Sequence, residues 1–137
     1  MRLWRRQAPE WRPVLCLDFD GVLHSHDVYG KTLADIPGPP VTGAMDFVVG
    51  AQDKFTVAIY SYRSRRWSAR RAMQRWMRLH LTRHFAGDES AADAVLRQIQ
   101  WPWLKPAASV TLDDRALTFR GTWPAIADLV AFRPWNR

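Results

Sequence analysis

The chain has few of the features that mark secreted or membrane-spanning proteins. Its 137 residues include a single cysteine, Cys16, so no disulfide can form within the chain. Hydrophobic residues make up 47% of the sequence, yet no apolar run approaches the ~20 residues that span a bilayer. The arginine-rich N-terminus leads into Pro9 and Glu10 instead of the apolar core of a secretory signal. We therefore expect a soluble, cytoplasmic protein that forms one domain over residues 1–137.

Lysine is also scarce, and acids are outnumbered. The sequence has 17 arginines and 3 lysines against 13 acidic residues, which gives a net charge of +7. A positive surface attracts anionic partners. A solvated surface whose arginines reflect codon composition alone is the alternative interpretation.

Segments typical of strands and helices alternate along the chain, separated by turn-forming residues. This alternation predicts an α/β fold of the three-layer Rossmann-like kind, with a central parallel sheet and helices on both faces. The predicted strands are Val14–Leu17, Phe55–Tyr60, Ile99–Trp103 and Ser109–Leu112. The predicted helices are Val41–Gln52, Arg65–Phe85, one from an N-cap at Ser90 through Gln98, and Trp123–Phe132.

Two acids stand directly after the first buried strand. Alternation along the strand sends Asp18 and Asp20 to one side and Phe19 to the other, and Gly21 permits a sharp turn after them. In an open parallel sheet, ligands bind beyond the carboxyl ends of the strands. The two carboxylates are thus expected at that edge, where like charges so close together need a cation.

Other polar residues follow or precede the later strands. Ser61 and Arg63 follow the second, Asp113 and Asp114 follow the fourth, and Lys105 lies in the turn before it. Four carboxylates in one crevice would repel by several kcal/mol unless a hard cation is bound, and Mg²⁺ is the natural choice for oxygen ligands. A hydroxyl, a guanidinium and an ammonium group would supply donors to a phosphoryl group. The set predicts phosphoryl transfer, with Asp18 as nucleophile and Asp20 as general acid and base.

With these residues the chain resembles the haloacid dehalogenase superfamily over nearly its whole length. Asp18-Phe19-Asp20-Gly21-Val22-Leu23 is similar to the first motif of that family, Ser61 to the second, Lys105 to the third, and Asp113-Asp114 to the fourth. The resemblance implies a Mg²⁺-dependent phosphatase that forms an aspartyl-phosphate. It also implies that Lys105 holds the phosphate and the nucleophile, and that the main-chain carbonyl of Asp20 joins Asp18, Asp113 and Asp114 at the metal.

A finer likeness is to small phage and bacterial members of that superfamily and to the 3'-phosphatase domain of phage-type polynucleotide kinase. Ser61-Tyr62-Arg63-Ser64 and Asp113-Asp114-Arg115-Ala116 carry it. It implies that Arg63, with Ser61 and Gly21, binds the substrate phosphate. The kinase loop Gly-x-x-x-x-Gly-Lys-Ser/Thr is absent. Only 17 residues, His24 to Pro40, separate the first motif from its helix, so no cap domain fits and the site is expected to be open to a nucleotide or a nucleic-acid 3'-phosphate end.

Several alternatives stay open. A signalling receiver domain also uses an acid pair, but its motif order differs, and a nucleic-acid-binding protein with a vestigial site would explain the arginines. Other capless members act on small molecules.

His24 and His26, with Asp27, are read as exposed loop residues and not as a zinc site. Arginines on the long helix form either a surface for a nucleic-acid backbone or a solvated face, and two tryptophans before Lys105 are candidates for stacking a base. These residues are Arg66, Arg70, Arg71, Arg75, Arg78, Trp101 and Trp103.

Overall fold

Three short parallel strands form the sheet at the centre of the fold. The computed structural model describes residues 10–25 and 30–136. Its strands are β1 (Val14–Leu17), β2 (Thr56–Ile59) and β3 (Val110–Leu112), in the order β2-β1-β3. Leu15 pairs with Val57 on one side and with Val110 on the other, so β1 is the central strand. The chain is therefore an α/β protein with a small parallel sheet.

The third predicted strand, Ile99–Trp103, is not formed. Its one pairing is an isolated parallel bridge between Gln100 and Ala58 at the outer edge of β2. Pro102 has no backbone N–H to continue the ladder, and the segment leaves the sheet there. The prediction was wrong about the strand, although the chain does pass this edge of the sheet.

The helices occur in the predicted order with different ends. They are α1 (Ala44–Ala51), α2 (Trp67–His84), α3 (Glu89–Gln98) and α4 (Ile126–Ala131). The first begins three residues later than predicted because Gly43, at φ +82°, adopts the left-handed conformation and interrupts the helix there. The cap of α3 is Asp88, whose side chain accepts a hydrogen bond from the Ala91 N–H, and not the predicted Ser90.

The main hydrophobic core lies on one face of the sheet. Leu15 and Leu17 on β1 and Val57 and Ile59 on β2 pack in one buried cluster with side chains from α1, α2 and α3. In the described residues these three helices therefore cover the same face. Cys16 and Ala58 point to the opposite face because side chains alternate along a strand.

The opposite face is crossed by a loop and not by one of these helices. Between Gln100 at one edge and Val110 at the other, nine residues carry the chain across the sheet. Lys105 in this loop lies near enough to Cys16 to lower its thiol pKa against the larger raising effect of burial. After β1 the chain forms β2 on one side of it, and after β2 it crosses the sheet to form β3 on the other side. This reversal beside β1 is where open α/β sheets form a crevice for ligands.

None of the helices in residues 10–25 and 30–136 is both long and apolar enough to cross a lipid bilayer.

Candidate active site

Three carboxylates meet at the crevice between β1 and β3. The Asp18 N–H donates to the Leu112 carbonyl at 2.9 Å, which fixes the end of β1 beside the end of β3. Asp113 and Asp114 follow β3 directly, and one carboxylate oxygen from each of the three acids lies within 4.8 Å of the other two. The predicted convergence of Asp18, Asp113 and Asp114 is therefore seen in the structure, and oxygen ligands at this separation can hold one divalent cation.

The surroundings of Asp18 disfavour its charge. Burial is the largest effect, and the neighbouring carboxylates of Asp113 and Asp114 add to it, so that the pKa of Asp18 rises from 3.8 to about 8. The Phe19 N–H, which donates to Asp18 Oδ1 at 2.8 Å, acts in the other direction but does not compensate. A bound cation would remove this penalty because it replaces repulsion among three acids with attraction. The donor set thus fits a hard divalent ion.

Asp20 lies apart from these three acids, in an ion pair with Arg63. The guanidinium donates from Nε to Asp20 Oδ2 at 2.8 Å and from Nη2 to Oδ1 at 3.0 Å. Arg63 is only 5% exposed, so its charge is buried and does not belong to the protein surface. Burial alone would raise the pKa of Asp20, but hydrogen bonds from His24 and Arg63 and the arginine charge outweigh it and lower that pKa. The Asp20 side chain is therefore a carboxylate at neutral pH.

The same arginine also holds the loop that follows the first motif. Arg63 Nη1 donates to the carbonyl of Leu33 and, at 2.9 Å, to that of Asp35. With the two bonds to Asp20, four of its five N–H groups are used within the described residues. The predicted phosphate contact from Arg63 must use the remaining Nη2 hydrogen or displace one of these partners. In the structure, its visible role is to position Asp20.

His24 is a residue whose place the sequence did not reveal. It is 1% exposed, in contrast to the exposed loop histidine that we expected. Its Nε2 accepts a hydrogen bond from the Gly38 N–H at 2.9 Å, so Nδ1 carries the hydrogen and donates to Asp20 Oδ1 at 2.9 Å. The spacing of four residues from Asp20 was the available signal. His26 and Asp27 lie outside the described residues.

Ser61 and Gly21 shape the backbone around the acids. Ser61 Oγ accepts the Arg63 N–H at 3.2 Å and caps the 3₁₀ turn Tyr62–Arg65, while Ser64 Oγ accepts the Ser61 N–H. Within the described chain this leaves the buried Ser61 hydroxyl hydrogen to donate. Gly21, at φ +81°, makes the turn after Asp20, and its own N–H donates to the His24 carbonyl at 2.7 Å.

Lys105 is not brought into contact with the carboxylates. Its side chain is exposed, and among residues 10–25 and 30–136 it makes no hydrogen bond or ion pair. Its loop is instead fastened to α2 by Arg70, which donates to the Trp101 carbonyl and places its guanidinium carbon 4.0 Å from the centre of the Trp103 ring. The predicted convergence of Lys105 with Asp18 is therefore not seen among the described residues, and its role in holding the phosphate stays a prediction.

Two further groups border the carboxylates. Arg115 Nε lies 3.9 Å from Asp114 Oδ2, so this arginine is an ion-pair partner of the carboxylate. Trp135, near the C-terminus, donates from Nε1 to the Gly21 carbonyl at 2.8 Å. No sequence pattern indicated that second contact, because it joins residues 114 positions apart.

Comparison of the chain with protein-family models, with curated proteins and with solved structures finds no match. The resemblance to the haloacid dehalogenase superfamily therefore depends on the four motifs alone.

Proposed function

We propose that this protein is a metal-dependent phosphomonoester hydrolase in which Asp18 is the nucleophile. The observation that carries the proposal is the carboxylate cluster at the crevice beside β1. Asp18 follows β1, Asp113 and Asp114 follow β3, and one oxygen of each lies within 4.8 Å of the other two. Burial, together with the carboxylates of Asp113 and Asp114, raises the pKa of Asp18 to about 8. Strongly perturbed acids in a crevice of this kind are typical of functional sites.

In the first half of the reaction, a carboxylate oxygen of Asp18 attacks phosphorus as the bond to the leaving oxygen breaks. The products are an aspartyl-phosphate and the alkoxide or phenoxide of the leaving group, which takes a proton from solvent to become an alcohol or phenol. In the second half, water attacks the phosphorus of that intermediate, the acyl-phosphate bond breaks, and inorganic phosphate leaves with Asp18 restored. Dividing one displacement into two easier ones is the general advantage of a covalent intermediate.

Asp20 suits the second half better than the first. As a carboxylate held by Arg63 and His24, it can accept the proton of the attacking water. Donating a proton to the leaving oxygen in the first half requires Asp20 to be protonated, which its two partners oppose. We therefore expect aryl phosphates, whose leaving oxygens need little protonation, to be hydrolysed faster than alkyl phosphates.

The cation is part of the proposal, with Mg²⁺ as the favoured ion. Asp18, Asp113 and Asp114 would hold it, together with the main-chain carbonyl of Asp20 as the family resemblance implies. Once bound, it would neutralise the carboxylates and polarise the phosphoryl oxygens. The Ser61 hydroxyl and the Lys105 ammonium would donate to the phosphoryl oxygens, with Gly21 and Arg63 shaping that pocket.

The finer fold assignment belongs to the same proposal. The strand order β2-β1-β3, in which β2 and β3 lie on opposite sides of β1 and acids follow both β1 and β3, supports a Rossmann-like fold of the haloacid dehalogenase type. Residues 30–40 form loop and turn and no separate cap, which supports a site open to bulky phosphoesters. The cytoplasmic location expected from the sequence is likewise a proposal.

Phosphate release tests the proposal directly. Purified protein is assayed with Mg²⁺ or with a chelator on an aryl phosphate, on nucleotides, and on 3'- and 5'-phosphorylated oligonucleotides. We expect metal-dependent release that Asp18→Asn abolishes, whereas Asp53→Asn, which removes an exposed acid after α1, retains it. Acid-quenched wild type should carry one phosphoryl group on Asp18 by mass spectrometry.

Two results would oppose the proposal in different ways. Absence of release from every substrate, with Asp18→Asn indistinguishable from wild type, would exclude a phosphatase. A long-lived phosphoryl group on Asp18 without turnover would instead favour a signalling receiver.

A further inference from the structure

We propose that the single strand of a nucleic-acid end binds across the start of α2 and delivers its terminal phosphate to Asp18. The binding surface, called here the arginine-aromatic strip, consists of Tyr62, Arg65, Arg66, Trp67, Arg71 and Trp103. This inference rests on the proposed function, since it names the substrate class of the same site.

The strip exposes three large aromatic rings to solvent. Tyr62 is 61% exposed, Trp67 61% and Trp103 52%, and none belongs to the hydrophobic core. A group of exposed rings marks a binding surface more often than a single exposed residue does, and every nucleobase offers a flat face to stack on them.

The charge of the strip is concentrated and uncompensated by local acids. From Tyr62 to Arg75 the sequence contains six arginines and no acidic residue. Arg65, Arg66 and Arg71 are exposed, and they stand at the start of α2, whose first turn has no acid either. Positive side chains at this end of a helix oppose its dipole and destabilise it. An unfavourable charge at a helix end is expected where those side chains serve to bind a ligand.

The arginines and the rings are interleaved. The Arg71 guanidinium lies 4.8 Å from the centre of the Trp67 ring on α2. One helical position earlier, Arg70 lies 4.0 Å from Trp103 and so brings that ring onto the same helix. Residues three and four apart on a helix are neighbours, so Trp67 and the Arg70-Trp103 pair stand side by side. A base can stack on the outer face of each ring while its phosphate meets an arginine.

The strip adjoins the acidic site at Tyr62, and in sequence it adjoins Lys105 at Trp103. Tyr62 follows Ser61 directly, and its ring centre lies 5.6 Å from the guanidinium carbon of Arg63, which donates to the Asp20 carboxylate. At the other end, Trp103 precedes Lys105 by two residues. A strand lying on the rings and passing Tyr62 can therefore present its terminal phosphate to the acids.

A single strand fits this surface better than other polyanions. In a duplex, the faces of the bases are stacked on one another and cannot reach the rings. An acidic peptide would pair with Arg65, Arg66 and Arg71 but would leave Trp67 and Trp103 uncovered. The strip offers no rigid pattern of donors for reading base edges, so we expect little dependence on sequence.

Binding is measured first, without turnover. Fluorescence anisotropy of a labelled 3'-phosphorylated oligothymidylate is followed on full-length Asp18→Asn, alone and combined with Trp67→Ala, Trp103→Ala or Arg71→Ala. We expect each aromatic variant to weaken binding by about 5- to 100-fold. Arg71→Ala should also reduce the salt dependence of log Kd by about 0.7. Trp67→Phe, which keeps a ring, should restore most of the affinity.

Matched controls lie away from the strip. Trp11→Ala removes a still more exposed tryptophan (81%) before β1, at the opposite end of the strands. Arg97→Ala removes an exposed arginine in the last turn of α3. Both should bind the oligonucleotide as the Asp18→Asn parent does. Loss of affinity in these controls equal to that in Trp67→Ala would refute the strip as the binding surface.

Turnover separates this inference from the proposed function. On the Asp18 background, kcat/KM for the oligonucleotide relative to an aryl phosphate should fall in Trp67→Ala and Trp103→Ala. If oligonucleotide binding depends on the strip but no substrate releases phosphate, the strip is supported as a binding surface and the hydrolase activity is refuted. Hydrolysis of small esters without strip-dependent oligonucleotide binding would support the hydrolase and refute the strip as a binding surface. Equal affinity for a blunt duplex, or full competition by a polyglutamate peptide, would refute the single-strand assignment. Ribo- and deoxyribo-oligonucleotides, each with 3'- or 5'-phosphate, identify the end that is used.

Discussion

Replacing Asp18 with Asn should stabilise the metal-free protein at and above neutral pH. In the unfolded chain this carboxyl loses its proton near pH 4, whereas in the folded chain its pKa is about 8. Between these values the folded state binds more protons, so stability falls as the pH rises from about 4 to about 8 and then stays constant. Asn carries no charge and escapes this loss.

The folded and unfolded pKa values of Asp18 set an upper limit on the stability gained by Asp18→Asn. The difference between a pKa of about 8 and the ordinary 3.8 corresponds to at most ~6 kcal/mol. Because the three acids share the repulsion and the crevice admits some solvent, we expect a smaller gain of about 1 to 3 kcal/mol at pH 8. For a chain of this length, that gain is a rise in Tm of roughly 3 to 12 °C. At pH 4 the two proteins should unfold at the same temperature.

Thermal unfolding by circular dichroism, from pH 4 to 9 with chelator or with Mg²⁺, is the assay. Added Mg²⁺ should stabilise the wild type most at high pH, because the ion binds only the folded acids, and should stabilise Asp18→Asn far less. Asp53→Asn, which removes an exposed charge, is the control and should follow the wild type. If Asp18→Asn is no more stable than wild type at pH 8 in chelator, the carboxylate repulsion inferred here is wrong.

Three further predictions concern the parts that support the site. Arg63→Met should destabilise the fold by about 3 to 5 kcal/mol in urea unfolding, because it leaves the Asp20 carboxylate buried without its charge partner; a loss below 1 kcal/mol would contradict the buried ion pair. Gly38→Ala should lower stability by about 1 to 3 kcal/mol and shift the His24 ring resonances in NMR spectra, since a Cβ at residue 38 would lie 2.6 Å from His24 Nε2; unchanged resonances would show that the loop can adapt. Asp88→Ala should cost about 0.5 to 2 kcal/mol through loss of the α3 cap, with Ser90→Ala near neutral; the opposite ranking would place the cap at Ser90.

The part of the fold that follows from local pattern was predictable. The apolar run ending at Leu17 and the acids after it fixed both β1 and the edge on which Asp18 stands. The same reasoning located β2, β3 and the acids at 113 and 114, because parallel strands bring their carboxyl ends together. A pattern of period two or 3.6 carries this information without any knowledge of distant contacts.

What the sequence did not reveal depends on long-range packing. The burial of His24 requires the Gly38 N–H, fourteen residues away, and the engagement of Arg63 requires carbonyl groups of a loop about thirty residues earlier. Neither loop has a periodic pattern that would reveal where it folds. The place of Lys105 was equally hidden from the sequence, because its loop lies against α2 through a long-range contact between Arg70 and Trp103.

Because β1 is the central strand, the two sides of the site differ in rigidity. Its backbone is hydrogen-bonded on both sides, so its amide hydrogens should exchange with solvent only when the whole domain unfolds. The Asp18 amide, bonded to Leu112, belongs to this slowest class, whereas the loop around Lys105 is held by few backbone bonds and can open locally. The nucleophile would thus keep its place on the most persistent element of the chain, while the lysine on the other side of the crevice is free to adjust to each incoming phosphate.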